Sequence, residues 1–200
     1  EKVRKMKSGI IANPNCSTIQ MVLALHKVEG MFGLKKIVVS TYQSVSGTGQ
    51  KGIQELTNET YQENKTINKV YPRQIAFNVI PQIDDFVENG FTKEEMKMVN
   101  ETKKILGKKN IDINATCVRV PVMRGHSESI YIETEKKIKL NELLAKWTET
   151  PNLVVRGEQK EFPTPKETEM DVETFVGRIR KDLDNNRAMS FWVVSDNLLK

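Results

Sequence analysis

The chain has 200 residues, 38% of them hydrophobic and 28% charged, with a formal net charge of +5. These totals describe a soluble globular protein of one domain or at most two small ones, and no run of about 18 apolar residues is available to cross a membrane. Lysines and arginines are interleaved with acidic residues, and there is no zinc-finger spacing, aromatic RNP-type strand or basic helix. A solvated mixed-charge surface is therefore expected, with no nucleic-acid ligand and no membrane partner.

The opening segment EKVRKMKSGIIANPNC is basic but lacks the apolar run of a signal peptide, which makes the cytoplasm the expected location. Two cysteines, Cys16 and Cys117, are too few for a disulfide framework and agree with a reducing compartment. No metal site is expected.

In chain order, Ile19, Val22, Leu23 and Leu25 have helical spacing between about Ser17 and Val28, and Gly30 is the expected stop. Lys36 to Tyr42 (KIVVSTY) is β-branched and short, the pattern of a buried strand. After the turn Ser46-Gly47-Thr48-Gly49, a second helix carries Ile53, Leu56 and Thr60 on one face, to about Gln62. The run Ile75 to Ile80 reads as extended.

Thr92 and Glu95 have the T-x-x-E spacing of a capping box, opening a helix with Met96, Val99 and Leu106 on its apolar side. Ile113 to Val122 and His126 to Glu133 are strand-like, and a short helix follows around Leu140 to Trp147. Val172 to Arg180 and Met189 to Ser195 read as antiparallel strands joined at Asp184, Asn185 and Asn186. The sum is an α+β fold with a mixed, largely antiparallel sheet. No G-x-G-x-x-G follows a strand, so no dinucleotide-binding fold is visible.

Cys16 follows Asn13-Pro14-Asn15 at the expected start of the first helix. Free backbone N–H groups and the helix dipole there would favour a thiolate and could hold an oxyanion or phosphate, but a small buried cysteine fits the spacing as well. Of two histidines, His26 lies about 15 Å from Cys16 along the helix axis, beyond proton-transfer reach. His126, after Arg124 and Gly125 at a strand start, is the better partner, or else a surface histidine in a turn.

Arg119 interrupts the apolar Cys117-Val118-Arg119-Val120 and needs a partner if buried, either a ligand carboxylate or an internal acid. Cys117 points to the same face and reads as packing. Glu95 and Lys97 have the ordinary look of exposed helix charges.

The motifs IANPNCST, TYQSVSGTGQ, FTKEEMKM with ETKKIL, ATCVRVPVMRGHSESIYIE and FVGRIRKDLD with WVVSDNLLK together resemble the aspartate-semialdehyde dehydrogenase family, in order over nearly all 200 residues. Within that family the likeness is to the Gram-positive bacterial forms. It implies a catalytic and dimerisation domain over residues 1–200, of the glyceraldehyde-3-phosphate-dehydrogenase-like C-terminal type with helices packed on one sheet face. The implied reaction is NADPH-dependent reductive dephosphorylation of aspartyl phosphate to aspartate semialdehyde, on the route to lysine, diaminopimelate, threonine and methionine.

Residue by residue, the resemblance makes Cys16 the nucleophile that forms a thioester, His126 the acid/base group and Gln43 the residue orienting the intermediate. It puts Arg119 on the substrate's α-carboxylate and Glu95 on its amino group, with Lys97 and Asn15 at the phosphate. Ser46, Gly47 and Asn197 fall near the NADP cofactor. It also implies a homodimer, and an N-terminal NADP-binding Rossmann domain absent from this chain, leaving half an active site and no turnover. The alternatives are an isolated dimerisation fragment without activity and an enzyme like N-acetyl-glutamyl-phosphate reductase.

Overall fold

The computed structural model describes residues 9–61 and 69–200. The basic opening residues and the expected helix end at Gln62 lie outside that range. Helix α1 (Cys16–Phe32) and strand β1 (Leu34–Gln43) are followed by α2 (Gln50–Tyr61), α3 (Lys93–Leu106), β2 (Asp112–Arg119) and β3 (His126–Thr134). Then come α4 (Leu140–Thr148), β4 (Leu153–Val155), β5 (Thr174–Lys181) and β6 (Ala188–Ser195).

The strands form one sheet in the order β2-β1-β3-β6-β5-β4. The outer pairs β1/β2 and β4/β5 are parallel, and the three inner pairings are antiparallel. This is the mixed, largely antiparallel α+β sheet expected from the alternating pattern.

One sheet face is apolar through Ile37 and Val39, Ala115 and Cys117, Ile130 and Ile132, and Met189, Phe191 and Val193, all buried. Helices α1, α3 and α4 cover it. Trp147 of α4 donates from Nε1 to the Ala24 carbonyl of α1 at 2.8 Å and lies edge-on to Phe191 of β6 at 5.3 Å. That one side chain ties two helices to the sheet. Among the described residues the opposite face carries no α-helix and holds Val38, Tyr42 and Trp192, with Tyr42 and Trp192 paired at 5.4 Å.

Three local expectations need correction. Helix α1 runs through Gly30 to a cap at Gly33, whose φ of 71° suits glycine and whose N–H reaches the Glu29 carbonyl. Ile75 to Ile80 is a turn, because the Glu59 carboxylate accepts the Ile75 and Ala76 N–H groups at 2.8 and 2.9 Å. Only Ile80 pairs, in an antiparallel bridge with Arg119. The capping box at Thr92 and Glu95 is present, but α3 buries Glu94, Glu95, Met98 and Thr102 in place of the expected Met96 side. The three-residue strand β4 was too short to leave a pattern.

Among the described residues no helix is long and apolar enough to cross a membrane.

Trp147→Phe removes the indole donor and its bond to the Ala24 carbonyl, which keeps its partner within the helix. A loss of about 0.5–1.5 kcal/mol in urea unfolding is expected for that bond; wild-type stability in this variant would show that the bond contributes little.

Candidate active site

Helix α1 begins at Cys16 because Asn15 caps it: the Asn15 Oδ1 accepts the Ser17 and Thr18 N–H groups at 3.0 and 3.2 Å. The donors expected to serve a thiolate are thus already engaged. Cys16 is half-buried, and its thiol is pushed above the ordinary value first by burial and then by the charge of Glu94, which outweigh the Ser17 N–H. Of the two readings left open by the spacing, the direction of this shift favours a protonated, partly buried thiol. Glu128, fully buried on β3, is itself raised by desolvation, with neither carboxylate oxygen partnered among the described residues, so it favours the neutral acid.

The sheet supplies the next three groups. Register pairs Gln43 with Arg119 across β1 and β2, and His126 with Ser195 across β3 and β6. The apolar rows on the helix-covered face therefore end together in polar residues. Arg119 is buried; its Nη1 donates to the Ser44 carbonyl at 2.6 Å, its guanidinium lies 5.9 Å from the Tyr71 ring centre, and its Nε has no partner. Among the described residues no carboxylate forms an ion pair with it, which removes the internal-acid explanation for its burial.

His126 is fully buried, and desolvation together with the nearby Arg119 charge holds it down to about 3, so it is neutral. Its Nδ1 accepts the Ser44 N–H at 3.1 Å. That assigns the ring proton to Nε2, which has no partner among the described residues.

Helix α3 contributes the charged wall. Glu94 accepts from Asn15 Nδ2 at 2.7 Å and Gln43 Nε2 at 3.3 Å on one oxygen, and meets Lys97 at 3.4 Å with the other. Glu95, the residue singled out in the sequence, points elsewhere. Its carboxylate accepts the Thr92 N–H at 2.7 Å and the Cys117 N–H at 3.0 Å, fastening α3 to β2. Cys117 is buried packing against Met98, as expected.

Cys16, Gln43, Arg119, His126, Lys97 and Asn15 all line one cavity of about 480 Å³, a size suited to a small metabolite. Gly47 lines it too, and a Cβ there would stand 3.0 Å from Arg119 Nη1 and 3.2 Å from His126 Nε2. Glu95, Ser46 and Asn197 do not line it. Ser46 and Asn197 lie beneath, where Asn197 Oδ1 accepts from Ser44 Oγ, Ser46 Oγ and the Gly125 N–H.

The sequence reading missed the cavity residues Glu94, Asp84 and Tyr71. Glu94 carries a legible signal, the E-x-x-K spacing to Lys97 that puts both on one helix face. Among the described residues, no group of three His, Cys, Asp or Glu side chains could hold a metal ion.

Residues 24–200 match the family described as semialdehyde dehydrogenase, dimerisation domain. The chain is 51% identical to an aspartate-semialdehyde dehydrogenase of Aquifex aeolicus, over 97% of this chain and 59% of the relative. It is 46% identical to that of Bacillus subtilis, over 96% of this chain and 60% of the relative. These values give no preference for Gram-positive forms. A crystal structure of aspartate semialdehyde dehydrogenase II from Vibrio cholerae complexed with ASA superposes with a TM-score of 0.90 at 43% identity, over 94% of this chain and 57% of that one. The chain thus spans about three-fifths of the length of each.

The upward shift of the Cys16 thiol predicts that its alkylation by iodoacetamide keeps accelerating beyond pH 9.0, the ordinary thiol value, while Cys117 stays unlabelled in the folded protein. Peptide mass spectrometry across pH checks this. A rate that levels off near neutral pH would mean a stabilised thiolate and contradict the reading.

Proposed function

The chain belongs to the semialdehyde dehydrogenase family, in its dimerisation-domain part, and on that premise we propose that it forms the substrate half of an aspartate-semialdehyde dehydrogenase. The reaction is reduction of aspartyl phosphate to aspartate semialdehyde with release of phosphate, in lysine, threonine and methionine biosynthesis. The observation that carries this reading is Arg119: a buried guanidinium, without an acidic partner among the described residues, facing the same cavity as Cys16 and His126. An α-carboxylate would meet its need for charge with a two-point hydrogen bond.

Glu94 replaces Glu95 as the carboxylate for the substrate's ammonium group, because only Glu94 faces the cavity. Lys97 and Asn15 serve the phosphate from the Cys16 side. Substrate held at three points presents its acyl carbon to sulfur in one orientation. In the acyl-transfer step the Cys16 sulfur bonds to that carbon as the carbon–oxygen bond to phosphate breaks. The electron pair leaves with phosphate, which also takes the thiol proton.

His126 keeps its proton on Nε2 and donates a hydrogen bond to the carbonyl oxygen as that oxygen gains charge. A neutral imidazole beside Arg119 is a dry, preorganised donor, and loss of one such donor costs about 10²–10³ in rate. This narrows the expected acid/base role to hydrogen-bond donation at Nε2. Gln43, tied to Glu94 and Thr41, orients the same acyl group.

NADPH, when bound, supplies the hydride that carries the thioester to the aldehyde level. Gly47 fits a place at its edge, since the strip over Arg119 and His126 stays open only without a side chain. Ser46 and Asn197 support His126 through Ser44 and are not proposed as cofactor contacts. The cofactor's principal site is proposed to lie in the part of the relatives' length that these 200 residues do not cover. The helix-free sheet face with Tyr42 and Trp192 is proposed to pair two copies in a homodimer.

By this reading the 200 residues bind substrate without NADPH-dependent turnover. Aspartate semialdehyde should protect Cys16 from iodoacetamide, and Arg119→Lys should weaken that protection about tenfold or more, because lysine lacks the planar fork. Equal protection of wild type and variant would remove Arg119 from the substrate site.

A further inference from the structure

Lys97, the cavity's exposed cation, already has two carboxylates on it. Its ammonium meets Asp84 Oδ2 at 3.1 Å and Glu94 Oε2 at 3.4 Å. Glu94 is committed elsewhere as well, to Asn15 and Gln43. Asp84 is different, since among the described residues its only other side-chain bond is the Asp85 N–H on Oδ1 at 2.9 Å, leaving Oδ2 to Lys97.

The backbone holds Asp84 in that position. Its segment is anchored upstream by Ile80, which exchanges two backbone hydrogen bonds with Arg119 at 2.8 and 2.9 Å, and downstream by Asp85, whose carbonyl accepts the Lys93 N–H at 2.9 Å. Between these anchors Asp84 takes a φ of 69°, a left-handed conformation that aspartate and asparagine tolerate better than other side chains. The neighbouring Asp85 is paired with Lys93 at 2.6 Å, so Lys97 is not its partner. Burial opposes charge on Lys97, yet its bonds to Asp84 and Glu94 raise it overall, so the ammonium is maintained.

We propose that Asp84 is a resident counter-ion that competes with the substrate's phosphate for Lys97. An incoming phosphate oxyanion takes Lys97 from the Asp84 carboxylate, and the carboxylate returns as free phosphate departs. Asp84 therefore loosens the grip on phosphate and makes its release easier. It is a residue that tunes affinity, distinct from the groups touching the reacting carbon. The proposal rests on the reading of Lys97 as the phosphate anchor.

The test measures protection of Cys16 from iodoacetamide by inorganic phosphate at constant ionic strength. The reagent is neutral, so nearby charge does not alter its approach, and protection is read relative to each variant's own unprotected rate. Wild type, Asp84→Asn, Lys97→Met and the double variant are compared. Asparagine keeps the left-handed backbone and the bulk while removing the charge. Asp84→Asn is expected to lower the half-protecting phosphate concentration about threefold, the scale of one partly exposed ion pair.

Lys97→Met should abolish protection, and the double variant should match it. A merely structural role for Asp84 would raise the half-protecting concentration. An unchanged or raised value in Asp84→Asn, with protection lost in Lys97→Met, overturns the proposal alone. Wild-type protection in Lys97→Met overturns the phosphate anchor on which it rests, and the proposal with it.

Discussion

The site depends on the register of three adjoining strands. Pairing of Gln43 with Arg119 and of Thr41 with both Cys117 and Glu128 puts every reactive side chain of β1, β2 and β3 on the helix-covered face. Side chains alternate with a period of two, so a one-residue slip would send Arg119 or His126 to the opposite face. The buried rows of Ile37, Val39, Ala115, Cys117, Ile130 and Ile132 prevent the slip, because any other register would expose them. The core thus determines where the chemistry points.

Charge in the cavity is arranged around groups that burial keeps neutral. His126 and Glu128 lose their charge to desolvation, while Arg119 keeps its own beside the Tyr71 ring and the Ser44 carbonyl. Glu94 links the three sources of the site, meeting Asn15 from the helix start, Gln43 from the sheet and Lys97 from its own helix. A zwitterionic acyl phosphate presents matching charges: one carboxylate, one ammonium and one phosphate. On balance burial and Glu94 raise the thiol before substrate arrives, and Cys16 stays protonated over a wider pH range than a free cysteine.

Much of this was legible in the residues. The helix start at Cys16 follows from Asn-Pro-Asn, the α3 start from its capping box, and the sheet from β-branched runs of strand length. The short motifs then put Cys16, Gln43, Lys97, Arg119 and His126 into one family pattern. Other features depended on which way a side chain turns. Glu94 and Glu95 are adjacent, and the bonds from the Thr92 and Cys117 N–H groups to Glu95 decide which of them is structural. The turn at Ile75 depends on Glu59, sixteen residues earlier, and the thiol's upward shift on burial and on Glu94, distant in sequence. Such couplings have no local signature.

The central claim is that these 200 residues carry out acyl transfer to Cys16. Incubation with β-aspartyl phosphate, followed by intact-mass and peptide mass spectrometry, tests it without any hydride donor. The account predicts one aspartyl group on the peptide carrying Cys16, matched by one phosphate released, and neither in Cys16→Ser. An adduct on Cys117 or another residue, or no adduct on Cys16 in the folded wild-type protein, would contradict it.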